Sequence, residues 1–258
     1  MTRRSPSGIP AQRAAISDVW LPRYTRAATK AVRAVAEDAV DLAAAGDDME
    51  VAAIRWADDL YDALFPMTLA MSVAGYELSQ QEMRGASRAK AFGDDVDPAL
   101  LDARMMPKVD EWMTETSRAM SDTQRVKAIE VVEQGRRENW TVDELRRNLT
   151  TKVVGETAIH ANTVARSATI WSYNEGAKAQ YGDAGATSTE WFTTQDDVTC
   201  EFCMALDGNR APLDGAYAAA GSTVEGTEGG VYAVGFDTEH PPIHPNCRCA
   251  ILPVFAGE

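Results

Sequence analysis

The sequence predicts an α+β protein: a mostly helical N-terminal part followed by a small, loop-rich, metal-stapled domain with short strands. Three observations carry this expectation. From Val19 to about Tyr181 the chain is rich in Ala, Glu, Arg, Met and Leu and poor in β-branched runs, which favours helix after helix. After Gly185 the composition turns to Thr, aromatics, Gly and Pro. All 4 cysteines fall in this second part, in two short clusters. The implied organisation is a flexible lead-in over residues 1–18, a helical domain over 19–186 and a small Cys-rich, zinc-binding domain over 187–258.

The elements can be justified in order. A first helix is expected from near Pro22 to Ala45, with Trp20, Tyr24, Ala28, Ala31, Val35 and Leu42 at helical spacing, and "AGDD" at 45–48 ends it. The second helix carries the stripe Val51, Ile54, Leu60, Leu64, Met67 and Met71. Pro66 inside it removes a backbone donor and is expected to kink or divide it. Asp97 as N-cap and Pro98 at the first helical position open the next helix. Two boxes, Ser121 with Gln124 and Thr141 with Glu144, can each satisfy two orphan amides and are expected to open helices near 122–137 and 142–150. A last long helix follows, with Ile159, Val164, Ile170, Trp171 and Tyr173 available for burial and Gly182 near its exit. The methionines of this half (Met49, Met67, Met71, Met83, Met105, Met106, Met113 and Met120) read as core fillers. In the tail, "STEWFTTQDDVTC" at 188–200 reads as a short strand entering a turn.

Charge narrows the function classes. With 39 acidic against 25 basic residues and a formal charge of −14, the molecule repels phosphate at long range, which disfavours bulk DNA binding. "RRENWTVDELRR" at 136–147 is the best basic strip, but acidic residues interleave with its arginines. No apolar run approaches the roughly 18 residues that span a bilayer. The N-terminus lacks the apolar stretch of a secretory signal, so folding is expected in a reducing cytosol, where thiols serve more often as metal ligands than in disulfides.

The tail of about 70 residues holds only scattered large apolar groups, and domains so small and loop-rich need a staple. Cys200 and Cys203 stand in Cys-x-x-Cys; His244, Cys247 and Cys249 form His-x-x-Cys-x-Cys. Soft ligands in this number suit tetrahedral zinc. Bringing the clusters together costs about 3 kcal/mol of length-dependent loop entropy plus a constant, against about 10–16 kcal/mol from structural zinc. Five donors compete for four positions. All four cysteines form one set; His244 in place of Cys247 or Cys249 forms another. His240 is a weaker candidate, and disulfides formed in an oxidising environment are the alternative to metal. A closed four-ligand site leaves no position for water, which points to a structural ion rather than a catalytic one. His160, Glu201 and His244 are the residues an enzyme would use, but nothing in the sequence places an acid, a base and a pocket together.

The order "ARSATIWSYNEGAKAQY" (165–181), "EWFTTQDDVTCEFCMALDG" (190–208) and "PPIHPNCRCAILPV" (241–254) resembles the Mu F-like minor head, or head-morphogenesis, proteins of tailed bacteriophages. The resemblance covers roughly residues 120–254. It rests on Arg166, Asn174 and Gly176 in the helix, Trp191 in the strand, Asp197, Cys200 and Cys203 in the turn, and His244 through Cys249 at the close. The glycine-rich "GSTVEGTEGGVYAVG" at 221–235 departs from the pattern and reads as a loop elaboration. The resemblance implies a low-copy structural protein of the virion, inside the capsid near the portal after assembly in the host cytoplasm. It would act in head assembly or genome delivery, with the portal or major capsid protein as partner, no small-molecule substrate and no catalysis. The alternative is a zinc-ribbon-type nucleic-acid binder that contacts packaged DNA through Arg210, Arg248 and the arginines of 136–147.

Overall fold

The computed structural model describes residues 9–45, 49–83, 105–154 and 157–257. Their elements are α1 (Ile9–Ala45), α2 (Met49–Met83), α3 (Met105–Glu138), α4 (Val142–Leu149), a π-helical turn (Thr150–Val154) and α5 (Thr157–Asp183). The tail adds β1 (Ser188–Phe192), α6 (Glu201–Leu206), β2 (Arg210–Pro212), β3 (Thr223–Glu225), β4 (Val231–Ala233) and β5 (Ala250–Val254). The protein is thus a mostly helical N-terminal part followed by short antiparallel strands. Among the described residues no helix is long and apolar enough to cross a membrane.

Several boundaries differ from the expectation, each for a physical reason. α1 starts at Ile9 and passes through Pro22 instead of beginning near it, and α2 passes through Pro66 undivided. Both prolines are exposed, where water can serve the carbonyl that loses its amide partner. The box at Ser121 and Gln124 opens nothing, because α3 runs through it. Both residues are buried, and Ser121 Oγ donates to the Ala53 carbonyl at 2.5 Å, so the hydroxyl serves a neighbouring helix instead of a helix end. The box at Thr141 and Glu144 does cap α4, with both reciprocal bonds formed. The turn at 46–48 and the Asp97–Pro98 cap lie outside the described residues. Ile54 and Ile159, expected to be buried, are exposed, while Trp56 takes a core position on α2.

The chain divides into two compact units. One is drawn from Met1–Leu21, Leu69–Met106 and Arg166–Glu258, the other from Pro22–Thr68 and Pro107–Ala165. Among its described residues the second is helical apart from the turn at 139–141. Its core contains Tyr24, Leu60, Leu64, Val109 and Met113, and Tyr24 Oη sits 3.3 Å from Thr68 Oγ1. Trp56 Nε1 donates to Asp38 at 2.7 Å, and Asp38 also pairs with Arg55.

In the first unit, the end of α2 and the end of α5 touch backbone to backbone. A methyl group at Gly75 would lie 2.7 Å from the Tyr173 carbonyl, and one at Gly176 would collide with the Ser72 and Tyr76 backbone. Glycine at these two positions is what allows the approach. Beside them lies the sheet, in the order β2-β1-β5 and antiparallel throughout, with Trp191 opposite Ile251 and Phe192 opposite Ala250. β3 and β4 form a separate hairpin.

Candidate metal centre

Two stretches far apart in sequence deliver the donors. The first leaves β1 and turns back through residues 193–200. Asp207 holds one end of this turn, accepting from Thr193 N at 2.9 Å, Thr193 Oγ1 at 3.0 Å and Gln195 Nε2 at 2.5 Å. Asp196 shapes the other end, accepting from Val198 N and Thr199 Oγ1. The chain then enters α6 with Cys200 as N-cap, its sulfur accepting from the Cys203 amide at 3.4 Å. One helical turn brings Cys203 onto the same side as Cys200.

The second stretch is anchored on α5. Asn174 is fully buried; its Nδ2 donates to the carbonyls of Ile170 at 2.8 Å, Pro241 at 3.3 Å and Cys249 at 3.3 Å, while its Oδ1 accepts from Ile251 N at 3.1 Å. The last three bonds fasten both ends of the 241–251 segment to one helix. His240 packs beside them, its Nε2 3.0 Å from Glu175 Oε2 and its ring tilted over Trp171 at 5.4 Å. Lys178 pairs with Glu239 next to it. Asn246, at φ 62°, turns the chain so that Cys247 and Cys249 face inward. Arg248 faces the other way and forms a forked pair with Asp196, at 3.0 and 2.5 Å, tying the second stretch to the first. Arg248 chiefly, with help from Thr199 and the Val198 amide, holds the Asp196 carboxyl down at about 2.

The donors form two groups that share Cys203: Cys200, Cys203 and His244, and Cys203, Cys247 and Cys249, with the ligand atoms of each group within 4.8 Å of one another. His244 Nε2 lies 2.9 Å from Cys200 Sγ and 3.2 Å from Cys203 Sγ; Cys203 and Cys247 sulfurs are 3.7 Å apart. All four thiols are free.

The residues fit a metal ion on four counts. Metal–sulfur bonds of about 2.3 Å in a tetrahedron put sulfurs about 3.8 Å apart, close to the Cys203–Cys247 distance. His244 Nδ1 donates to the Pro245 carbonyl at 2.8 Å, which fixes the tautomer and leaves the Nε2 lone pair facing the sulfurs. A crevice of about 30 Å³, bordered by Thr194, Thr199, Asn246 and Arg248, opens onto the donors and has room for one ion. Trp191 is buried, and its indole N–H acts on Cys249 in the direction that favours the thiolate a metal binds.

Without a cation the thiols oppose one another. Hydrogen bonds with Cys203 and Cys249 pull Cys247 well below the usual thiol range, while those with Cys247 and Cys249, together with burial, push Cys203 up. Cys249 gains from Cys203 but is pushed up on balance to about 12 by Cys247 and by burial. One positive ion among them reverses this repulsion. These groups can therefore hold a metal ion.

The structure thus brings together Cys200, Cys203, His244, Cys247 and Cys249. His240 belongs instead to the Glu175 contact. Arg248 pairs with Asp196, and Arg210 pairs with Glu190 at 3.0 Å. Within 136–147, Arg137 lies 3.8 Å from Glu133 and Arg146 lies 3.6 Å from Asp41. His160 lies on α5, and its side chain is outside the described ones. Glu201 points away from the sulfurs' crevice and onto the β3–β4 turn. Sequence reasoning missed the Glu175–His240 and Asp196–Arg248 pairs. Only Arg248 carried a signal, since the residue between two inward cysteines must face outward.

A family model described as Phage Mu protein F like protein matches residues 126–252. No curated protein and no solved structure matches the chain. The matched segment runs from within α3 into β5 and contains all five donors together with Asn174 and Gly176, so over residues 126–252 the chain is similar to the phage Mu F-like family.

Proposed function

We propose that this chain is a minor capsid, head-morphogenesis protein of a tailed bacteriophage. It sits at the portal vertex on the capsid interior and acts in head assembly or genome delivery, with zinc stapling its tail. The family match supports the coarser part of this reading, a phage head protein with capsid-related partners and a virion location. The finer part is carried by the convergence of five Cys and His donors beside the tail's own small buried cluster, which includes Trp191, Leu206 and Ile243 as well as Cys203, Cys247 and Cys249. Zinc takes Cys203, which belongs to both groups, with three of Cys200, His244, Cys247 and Cys249. The stapled tail is then a rigid part that can be docked against the portal or major capsid protein.

Binding is its only chemistry in this reading. Glu201 is engaged by backbone amides and His244 by the sulfurs, which supports a structural role over a catalytic one. Arg137, Arg146, Arg210 and Arg248 face carboxylates, and the formal charge is −14, which favours a protein partner over packaged DNA. Cross-linking mass spectrometry on purified heads tests the proposal. The expected result is a low-copy protein cross-linked to portal subunits, depleted from heads when Cys203→Ser replaces the wild type. Absence from purified heads, or cross-links spread evenly over the capsid lattice, would overturn it.

A further inference from the structure

The glycine-rich stretch at 221–235 supplies no metal donor, yet it is built onto the candidate metal centre. It folds as the β3–β4 hairpin, three residues per strand, closed by a turn in which Gly226 N donates to Gly230 O at 2.8 Å. A two-stranded hairpin this short does not hold itself together in water. Val224 and Val234 are buried in the cluster that also holds Trp191, Cys203 and Cys247, and the turn itself is gripped by Glu201. One carboxylate oxygen, Oε2, accepts from the amides of Glu228 at 3.1 Å and Gly230 at 3.0 Å. The Glu201 carbonyl accepts from Thr227 N at 3.4 Å. A methyl group at Gly226 or Gly230 would overlap that carboxylate, so the turn is shaped around it.

The second hold is aromatic: Tyr232 of β4 packs on Phe202 at 5.5 Å and edge-on to His244 at 6.1 Å. Both holds stand on residues whose positions the metal would set. Glu201 and Phe202 lie between Cys200 and Cys203, and His244 is itself a donor.

We infer that metal binding orders the β3–β4 hairpin through Glu201, so that the surface this hairpin presents exists only in the loaded protein. The inference rests on the metal reading above. With the ion in place, α6 and the His244 ring are fixed and the hairpin has two rigid supports. Without it, the Cys200–Cys203 turn loosens and the supports are lost together.

Amide hydrogen exchange on the zinc-loaded chain tests this, followed at Glu228 and Gly230 with Leu145, whose amide donates to the Thr141 carbonyl in the helical unit, as an internal control. Zinc removal by a chelator is expected to speed exchange at Glu228 and Gly230 at least tenfold. Glu201→Ala is expected to do the same while one zinc per chain is retained. Glu201→Gln, which keeps the shape and one acceptor, should fall between and guards against misfolding of the alanine variant. Unchanged protection in both Glu201 variants would remove Glu201 as the anchor. Unchanged protection after zinc removal would overturn the coupling. If the chain binds no zinc but the variants still lose protection, the metal reading fails, the link to it is overturned, and the Glu201 anchor alone stands.

Discussion

The helical unit and the cysteine-bearing tail are held by different kinds of interaction. In the helical unit, Tyr24, Leu60, Leu64, Val109 and Met113 are fully buried, and polar ties such as Trp56 to Asp38 decorate a core that apolar area already secures. In the tail, Trp191, Ile243 and Ile251 are the largest residues buried to a comparable degree, and the chain is also fastened by single polar anchors: Asn174, Glu175, Asp196, Asp207 and Glu201. Such anchors fix direction more than they add stability, since a typical internal hydrogen bond contributes about 1 kcal/mol net. The tail is therefore expected to depend on its five donors in a way the helices do not.

The largest effect that would break this contrast is expected at Cys203. Cys203→Ser removes the sulfur common to both groups and should forfeit most of the roughly 10–16 kcal/mol of apparent zinc binding. Chelator competition should show loss of zinc, and the tail's amides should exchange freely while helical circular dichroism persists.

The converse test is Leu64→Ala. A cavity in the helical core should cost about 3–5 kcal/mol in thermal or denaturant unfolding and leave zinc stoichiometry unchanged. A parallel loss of zinc would show that the two regions do not stand on separate supports.

Asn174→Leu sharpens the comparison inside the tail's own unit. It strands the buried Ile251 amide and removes donors from the Pro241 and Cys249 carbonyls, so a loss of about 2–3 kcal/mol is expected, with weaker zinc retention in chelator competition. An effect as small as that of an exposed substitution would deny Asn174 its role as clamp.

These three sites also show what could be read from sequence. Donor spacing was legible because Cys-x-x-Cys and His-x-x-Cys-x-Cys are local patterns that chemistry constrains. The Thr141 box was legible for the same reason, and its twin at Ser121 misled because burial offered that hydroxyl a carbonyl 68 residues away in sequence. The anchors follow the same rule. Glu175 meets His240 across 65 residues, Asn174 meets Cys249 across 75, and Glu201 meets Gly230 across 29, and no local pattern encodes such pairings. Asn174 and Gly176 stood out only through the family resemblance. Their physical reasons, a four-bond clamp and a backbone contact with α2, appear only in the fold.

The smallest expected effect is at Asp196. Its carboxyl is held at about 2 in the folded chain against roughly 3.9 unfolded, chiefly by Arg248. The sign follows from linkage: a depressed carboxylate contributes stability that is present above the unfolded value and lost as pH falls toward the folded one. Asp196→Asn should therefore flatten the stability profile between about pH 4 and pH 2. The exposed pair adds little to overall stability near neutrality. An unaltered acid profile would mean that the Arg248 pair does not form in solution.

The central claim is that one metal ion gathers the residues around 200 and 247 into a solid tail. Elemental analysis of the purified chain, with hydrogen exchange before and after chelation, tests it most directly. The account predicts about one zinc per chain and a tail that opens when the zinc is withdrawn while the helical unit stays protected. A metal-free chain whose tail stays equally protected with all four cysteines replaced by serine would contradict it.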